Sequence, residues 1–229
     1  MENKKIRRYL VWLVIGVSII VIGVLGNALI GNGESAIDQN SMQEQGPDAN
    51  IKKTDNENPE SRRNLVYARS SHTATTLNDG RILVVGGLGS DKKPMSKVEI
   101  YDPKTDTWTA TNDCRSPRAD HTTTVLKNGN VLVVGGTSDV GVASTAEIFY
   151  PKTETWEYAG RMNFARQTHR ATLLNDGRIL ITGGKGVNKA IDAVELYNPV
   201  TKAWSRAGSL NFPKYGHTAT LLPDGNVLV

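Results

Sequence analysis

Four histidines, His72, His121, His169 and His217, are the only ones in the chain, and they recur at intervals of 49, 48 and 48 residues. Three residues before each stands a cation: Arg69, Arg118, Arg166 and Lys214. Imidazoles bind metals and move protons, and guanidinium groups pair with carboxylates in a planar fork. A set of cations repeated in this way would bind carboxylates or acidic, sulfated glycans. The competing reading is that each cation serves the repeat itself by pairing with a neighbouring unit. For the histidines a metal is disfavoured, because zinc or copper ligands sit ~2 Å from one ion while equivalent atoms of successive repeats stand several ångströms apart. Hydrogen bonding between repeats is the expected role, with no metal and no cofactor. Cys114 is the single cysteine, so neither an intrachain disulfide nor a cysteine-rich metal site can form. Tyr158, Phe164, Phe212 and Tyr215 fall near expected loops, where aromatic rings could stack on sugars.

The elements that position these residues follow from the same period. Fourteen residues after each of the first three histidines comes a glycine pair, Gly86-Gly87, Gly135-Gly136 and Gly183-Gly184. Trp108, Trp156 and Trp204 follow at intervals of 48, each preceded by a Glu-aliphatic-aromatic triplet that ends in Tyr101, Phe149 or Tyr197. Within the first unit, His72 to Leu77 is threonine-rich and extended, Asn78-Asp79-Gly80 is a hairpin turn, and Arg81 to Val85 is a continuous apolar strand. A third strand around Val98 to Tyr101 ends at Asp102-Pro103, and a fourth carries Trp108. The aromatic blade positions are expected in the core, and replacing Trp156 by Ala would then cost ~3–5 kcal/mol.

The run ARQTHRATLLNDGRILITGG from Ala165 to Gly184, followed by VELYNP and Trp204, closely resembles the bacterial variety of kelch repeat. Galactose oxidase carries a propeller of such repeats. The resemblance spans about residues 65–229, and it implies an all-β fold: a kelch-type β-propeller of three four-stranded blades plus half a fourth, an incomplete ring. The units run at about 68–116, 117–164, 165–212 and a partial 213–229. The fourth unit would reach its glycine pair beyond Val229, so a fragment of a longer chain is expected.

Ahead of the repeats, residues 1–8 hold Lys4, Lys5, Arg7 and Arg8, and the chain is then uncharged from Tyr9 to Gly33. A transmembrane helix over 9–30 is expected, since roughly 20 apolar residues cross a bilayer. The basic flank holds the amino terminus in the cytoplasm. The alternative is a signal peptide cut after Gly26-Asn27-Ala28 and a secreted product. Residues 31–64 are polar, with seven acids against four bases, and read as a disordered linker. The net charge of +4 is spread without a polybasic tract, so nucleic acid is not an expected partner.

In a four-stranded meander the loops joining strands two to three, and those joining one blade to the next, emerge on one face. They vary in sequence, whereas the turns on the opposite face are short and constant. The sequence therefore reads as a single-pass membrane protein whose extracytoplasmic kelch propeller recognises a protein or glycan at the cell surface through its variable loops. The alternative implied by the resemblance is the propeller portion of a carbohydrate-active enzyme, copper-radical oxidase-like or sugar epimerase-like. A copper-radical site needs histidines separate from the repeat, and every histidine here belongs to it.

Overall fold

The computed structural model describes residues 64–229. The basic segment 1–8, the expected membrane helix 9–30 and the linker up to residue 63 lie outside the described residues.

Three antiparallel four-stranded sheets follow one another along the chain. The first blade comprises β1 (Thr73–Thr76), β2 (Ile82–Val85), β3 (Val98–Asp102) and β4 (Thr107–Ala110), hydrogen-bonded in that order. The second comprises β5 (Thr122–Val125) and β6 (Val131–Val134), an added hairpin of β7 (Thr137–Ser138) and β8 (Gly141–Val142), then β9 (Thr145–Tyr150) and β10 (Thr155–Arg161). The third comprises β11 (Arg170–Leu173), β12 (Ile179–Thr182), β13 (Ala193–Asn198) and β14 (Ala203–Ser209), and β15 (Thr220–Leu221) pairs with β16 (Val227–Leu228) as the first hairpin of a fourth. The hairpin β7–β8 carries no repeat signature and is the one element that the period does not announce.

The second strand of each blade explains the stacking. In β6, Val131 and Val133 pack with Leu83, Val85, Val98 and Ile100 of the first blade. Its alternate residues Leu132 and Val134 pack with Ile179, Ile181 and Tyr197 of the third. A strand with period-two alternation buries only one face; this one is apolar throughout because a sheet covers each side. Each such side chain contributes about 1.5–3 kcal/mol when fully buried, so neighbouring blades supply one another's cores.

The tryptophans lie at the margin of the core, Trp156 and Trp204 packing against its buried clusters. Trp108, Trp156 and Trp204 are half-buried, as is Tyr101, while Phe149 and Tyr197 are fully buried. Each tryptophan faces its aromatic partner across β3–β4, β9–β10 or β13–β14, with ring centroids 5.0, 4.9 and 4.8 Å apart. Their indole N–H groups reach back to the preceding blade, Trp156 to Asn112 O at 2.8 Å and Trp204 to Ala159 O at 2.8 Å. They act as covers on the outer strand pair, so a truncation removes less buried area than a core tryptophan would.

Candidate functional site

The second-to-third-strand loops and the segments that connect blades form one face, and the four cations sit where each connecting segment turns into its innermost strand. Three of them are not available to a ligand. The Arg166 side chain is fully buried, and its Nη2 lies 2.7 Å from Glu195 Oε1. Its Nη1 donates to Gly183 O at 2.7 Å and Ala193 O at 2.8 Å, and its Nε to Phe164 O at 3.3 Å. Arg69 repeats this arrangement, with Glu99 at 2.5 Å and the carbonyls of Gly86 and Lys97 at 2.8 and 2.7 Å. Arg118 pairs with Glu147 and donates to Gly135 O at 3.1 Å. The ligand-binding reading of Arg69, Arg118 and Arg166 is therefore corrected, because every fork is occupied by an acid and carbonyls of its own blade. Pairing with a neighbouring blade is corrected in the same way. Lys214, the fourth member, is half-buried and makes no ion pair among the described residues.

The glutamates complete a clamp. Glu195 also accepts from the backbone N–H of Asn163 at 2.7 Å and of Phe164 at 3.1 Å. Glu99 accepts from Val66 N at 2.7 Å and Tyr67 N at 3.2 Å, and Glu147 from Arg115 N at 2.8 Å. Each buried acid thus fixes the segment leading into its blade, which is why a charge is tolerated in the middle of an otherwise apolar third strand.

The histidines join one blade to the next. His121 Nε2 lies 2.8 Å from Thr73 Oγ1, His169 Nε2 2.8 Å from Thr122 Oγ1, and His217 Nε2 3.0 Å from Thr182 Oγ1. Burial lowers the pKa of His169 to about 3 and takes that of His121 well below 6.5, reinforced in each case by the adjacent arginine. Both rings are neutral at physiological pH. The glycine pairs form the backbone part of the same joint. Gly136 N donates to Arg166 O at 2.9 Å, and a Cβ on Gly135 would lie 2.5 Å from that oxygen, at a φ of +60°. Only glycine allows two blades to approach so closely.

Just before each histidine the backbone enters the left-handed region, at Ser71 (φ 53°), Asp120 (54°), Thr168 (49°) and Gly216 (63°). These residues are chained: Asp120 N donates to Ser71 O at 3.0 Å, Thr168 N to Asp120 O at 2.9 Å, and Gly216 N to Thr168 O at 2.9 Å. A cavity of about 260 Å³ opens beside them, lined also by His72, His121, His169 and Arg170. Among the described residues no group of three or more His, Cys, Asp or Glu side chains is placed to hold a metal.

The remaining aromatic candidates do reach solvent. Tyr158 is 44% exposed, Phe164 37%, Phe212 74% and Tyr215 56%. Tyr158 stands on β10 with its hydroxyl 3.4 Å from Arg161 Nε, and the other three lie on segments connecting blades. Sequence reasoning missed their neighbours Val66 (57%), Val140 (91%) and Val187 (74%), which lie on the same loop face. No repeat position marks them: Val66 precedes the first unit, and Val140 and Val187 stand in variable loops that carry other apolar residues as well, Val142 and Ile191. Cys114 is buried, with its Sγ 3.1 Å from Ser116 O, and burial pushes its thiol up to about 12. It is an inert part of the core.

The KLHDC2/KLHL20/DRC7 Kelch-repeats domain family matches residues 17–229 of the chain. A 54-residue segment is 43% identical to an F-box/kelch-repeat protein of Arabidopsis thaliana, covering 24% of this chain and 14% of that protein. A 56-residue segment is 38% identical to alpha-scruin of Limulus polyphemus, covering 24% of this chain and 6% of that one. The chain thus matches only a small part of the length of these curated relatives. Among solved structures, YjhT aligns with a TM-score of 0.54 at 21% identity, over 64% of this chain and 54% of its own, a likeness of fold alone.

Proposed function

The chain belongs to the Kelch-repeats domain family, and on that premise we propose that it is a membrane-tethered recognition module that binds a protein partner through its variable-loop face, outside the cytoplasm. Kelch-repeat propellers are in general protein-interaction modules. The observation that carries the reading is the distribution of exposed apolar side chains. Val66, Val140, Phe164, Val187, Phe212 and Tyr215 lie on the variable loops and connecting segments, Tyr158 and Leu228 on strands, and the opposite turns expose Val200. Scattered exposed apolar residues need no explanation; their concentration on one face marks an interaction surface. The arginines that would have made this face an anion receptor are sequestered in the clamps, so contact falls to the loops.

The tether is supported by sequence alone, the basic flank of Lys4, Lys5, Arg7 and Arg8 before an uncharged run of spanning length. A second reading, a glycan ligand, draws on the exposed rings of Phe212 and Tyr215, which could stack on sugars. The test places a photo-crosslinking amino acid at Val140 or Val187, and separately at Lys104 or Lys152 on the opposite turns, in the full chain in its native membrane. Discrete protein adducts are expected from the first two positions and not from the second pair. Adducts from both faces alike, or from neither, would refute the face assignment. Protease digestion of intact against lysed cells tests the tether, with cleavage of the repeats expected in intact cells.

A further inference from the structure

We propose that the part of the variable face built by the third blade is a docking site for an acidic protein segment that also carries an aromatic or aliphatic side chain. The inference rests on the variable face being the binding surface, and it names the chemistry of the partner.

Three pieces of chain form this sector: the lead-in segment 163–165, the loop 185–192 and the outgoing segment 210–215. The loop is held in place without a ligand. Gln167 and Lys185 exchange two backbone hydrogen bonds of 2.9 and 2.8 Å, Gly186 N donates to Lys189 O at 2.9 Å, and Ile191 N to Gly184 O at 2.8 Å. On its other side Leu210 N donates to Asp192 O at 2.7 Å and Lys214 N to Ile191 O at 3.3 Å. A loop braced on both sides loses little conformational freedom when a partner docks.

What the loop presents is cationic and apolar together. The loop exposes Lys185 and Lys189 with Asp192 at its end, and β14 beside it exposes Arg206; none of these three cations makes an ion pair among the described residues. Lys185 Nζ stands 5.9 Å from the centre of the Tyr215 ring, and Arg206 Cζ 5.6 Å from that of Phe164. The ring faces hold the cations near apolar surface, where a carboxylate meets less competition from water than at an isolated lysine. Val187 and Phe212, each 74% exposed, supply the adjoining apolar contact. The sectors differ in how acids accompany their cations: in the first blade Lys97 is paired with Asp113 at 2.8 Å and Asp91 directly precedes the exposed Lys92 and Lys93, in the second the hairpin tip places Asp139 beside Val140, and the third sets Lys185, Lys189 and Arg206 against Asp192. Charge complementarity therefore selects an acidic partner for the third. An aliphatic Val187 and mobile ammonium groups offer few of the fixed hydrogen-bonding partners that sugar hydroxyls require, which favours a peptide segment over a glycan.

The test selects a random-peptide display library on the purified full chain. Selected peptides are expected to carry two or more Asp or Glu residues around a Phe, Trp, Leu or Ile. Their binding should weaken at least about tenfold in the K185E/K189E and V187D variants, and about tenfold on raising NaCl from about 0.05 to about 0.5 M. The K104E/K152E variant on the opposite face should bind unchanged, and circular dichroism checks that each variant is folded. Selection of neutral or basic peptides, or binding unaffected by K185E/K189E, overturns the proposal. Binding lost in V140D instead moves the site off the third blade while the variable-face reading stands. Binding lost only in K104E/K152E overturns both. Saturable binding of a heparin oligosaccharide where no peptide is selected overturns the peptide partner in favour of a glycan.

Discussion

Replacing Arg166 by Met should cost about 3–5 kcal/mol, the range for removing one member of a buried ion pair. The structure explains why the upper part of that range applies. Both the Arg166 and Glu195 side chains are 0% exposed, so solvent does not screen the loss. The substitution leaves the carbonyls of Gly183 and Ala193 without their side-chain donor, as well as Glu195 Oε1. Glu195 retains the backbone N–H groups of Asn163 and Phe164, which limits the damage. The double variant R166M/E195Q removes the stranded charge and should recover about 1–2 kcal/mol relative to the sum of the single changes. Urea unfolding followed by tryptophan fluorescence measures each value. A loss below about 1 kcal/mol for R166M, or strict additivity in the double variant, would refute the clamp and return Arg166 to the pool of candidate ligand contacts.

Three further outcomes follow from the joints between blades. His121 and His169 have folded-state pKa values depressed from 6.5, so their contribution is complete above that pH and is lost as pH falls below it, for His169 until about 3, because the unfolded chain takes up protons that the native state refuses. The expected slope is about 1.4 kcal/mol per pH unit for each histidine below pH 6.5; urea midpoints that stay flat between pH 7.5 and 5.5, as ~zero slope, would contradict it. The buried Tyr197 hydroxyl has no hydrogen-bond partner among the described residues, and Phe149 fills the same place in the second blade, so Tyr197→Phe should be neutral or slightly stabilising in thermal melts. Gly135→Ala should cost roughly 2–4 kcal/mol through clash and backbone strain together, against about 1 kcal/mol for Gly80→Ala. The Gly80 φ is +90°, with nothing within 4 Å of the added methyl.

Sequence made the fold legible because one period was written in residues with incompatible substitutes. A glycine pair at a backbone crossing and a histidine bonded to the neighbouring blade tolerate little else, so Gly135, Gly136 and His169 announced the blade before any contact was known. The cations were harder. Spacing placed Arg118 and Arg166 on the loop face but could not say which way their side chains turn. The signal that resolves them was present: a glutamate recurs 29 residues after each of these arginines and 30 after Arg69, always within an apolar strand. An acid repeated there needs a buried counter-charge, and the arginine is the partner with the same period. The apolar residues of the variable face left no such trace, since Val140 and Val187 are single exposed side chains in loops whose sequences the repeat does not share.

The chained left-handed residues Ser71, Asp120, Thr168 and Gly216 give the molecule an interchangeable coupling. Each unit presents a carbonyl to its successor and an amide to its predecessor at the same position, and Ser, Asp, Thr and Gly all serve because only main-chain atoms are involved. A duplicated stretch of about one unit would find matching connections at either end, whatever its loops contained. Recognition loops can therefore diversify unit by unit while the connections stay fixed, a route by which genes encoding such proteins gain length and new specificities without redesign of the scaffold.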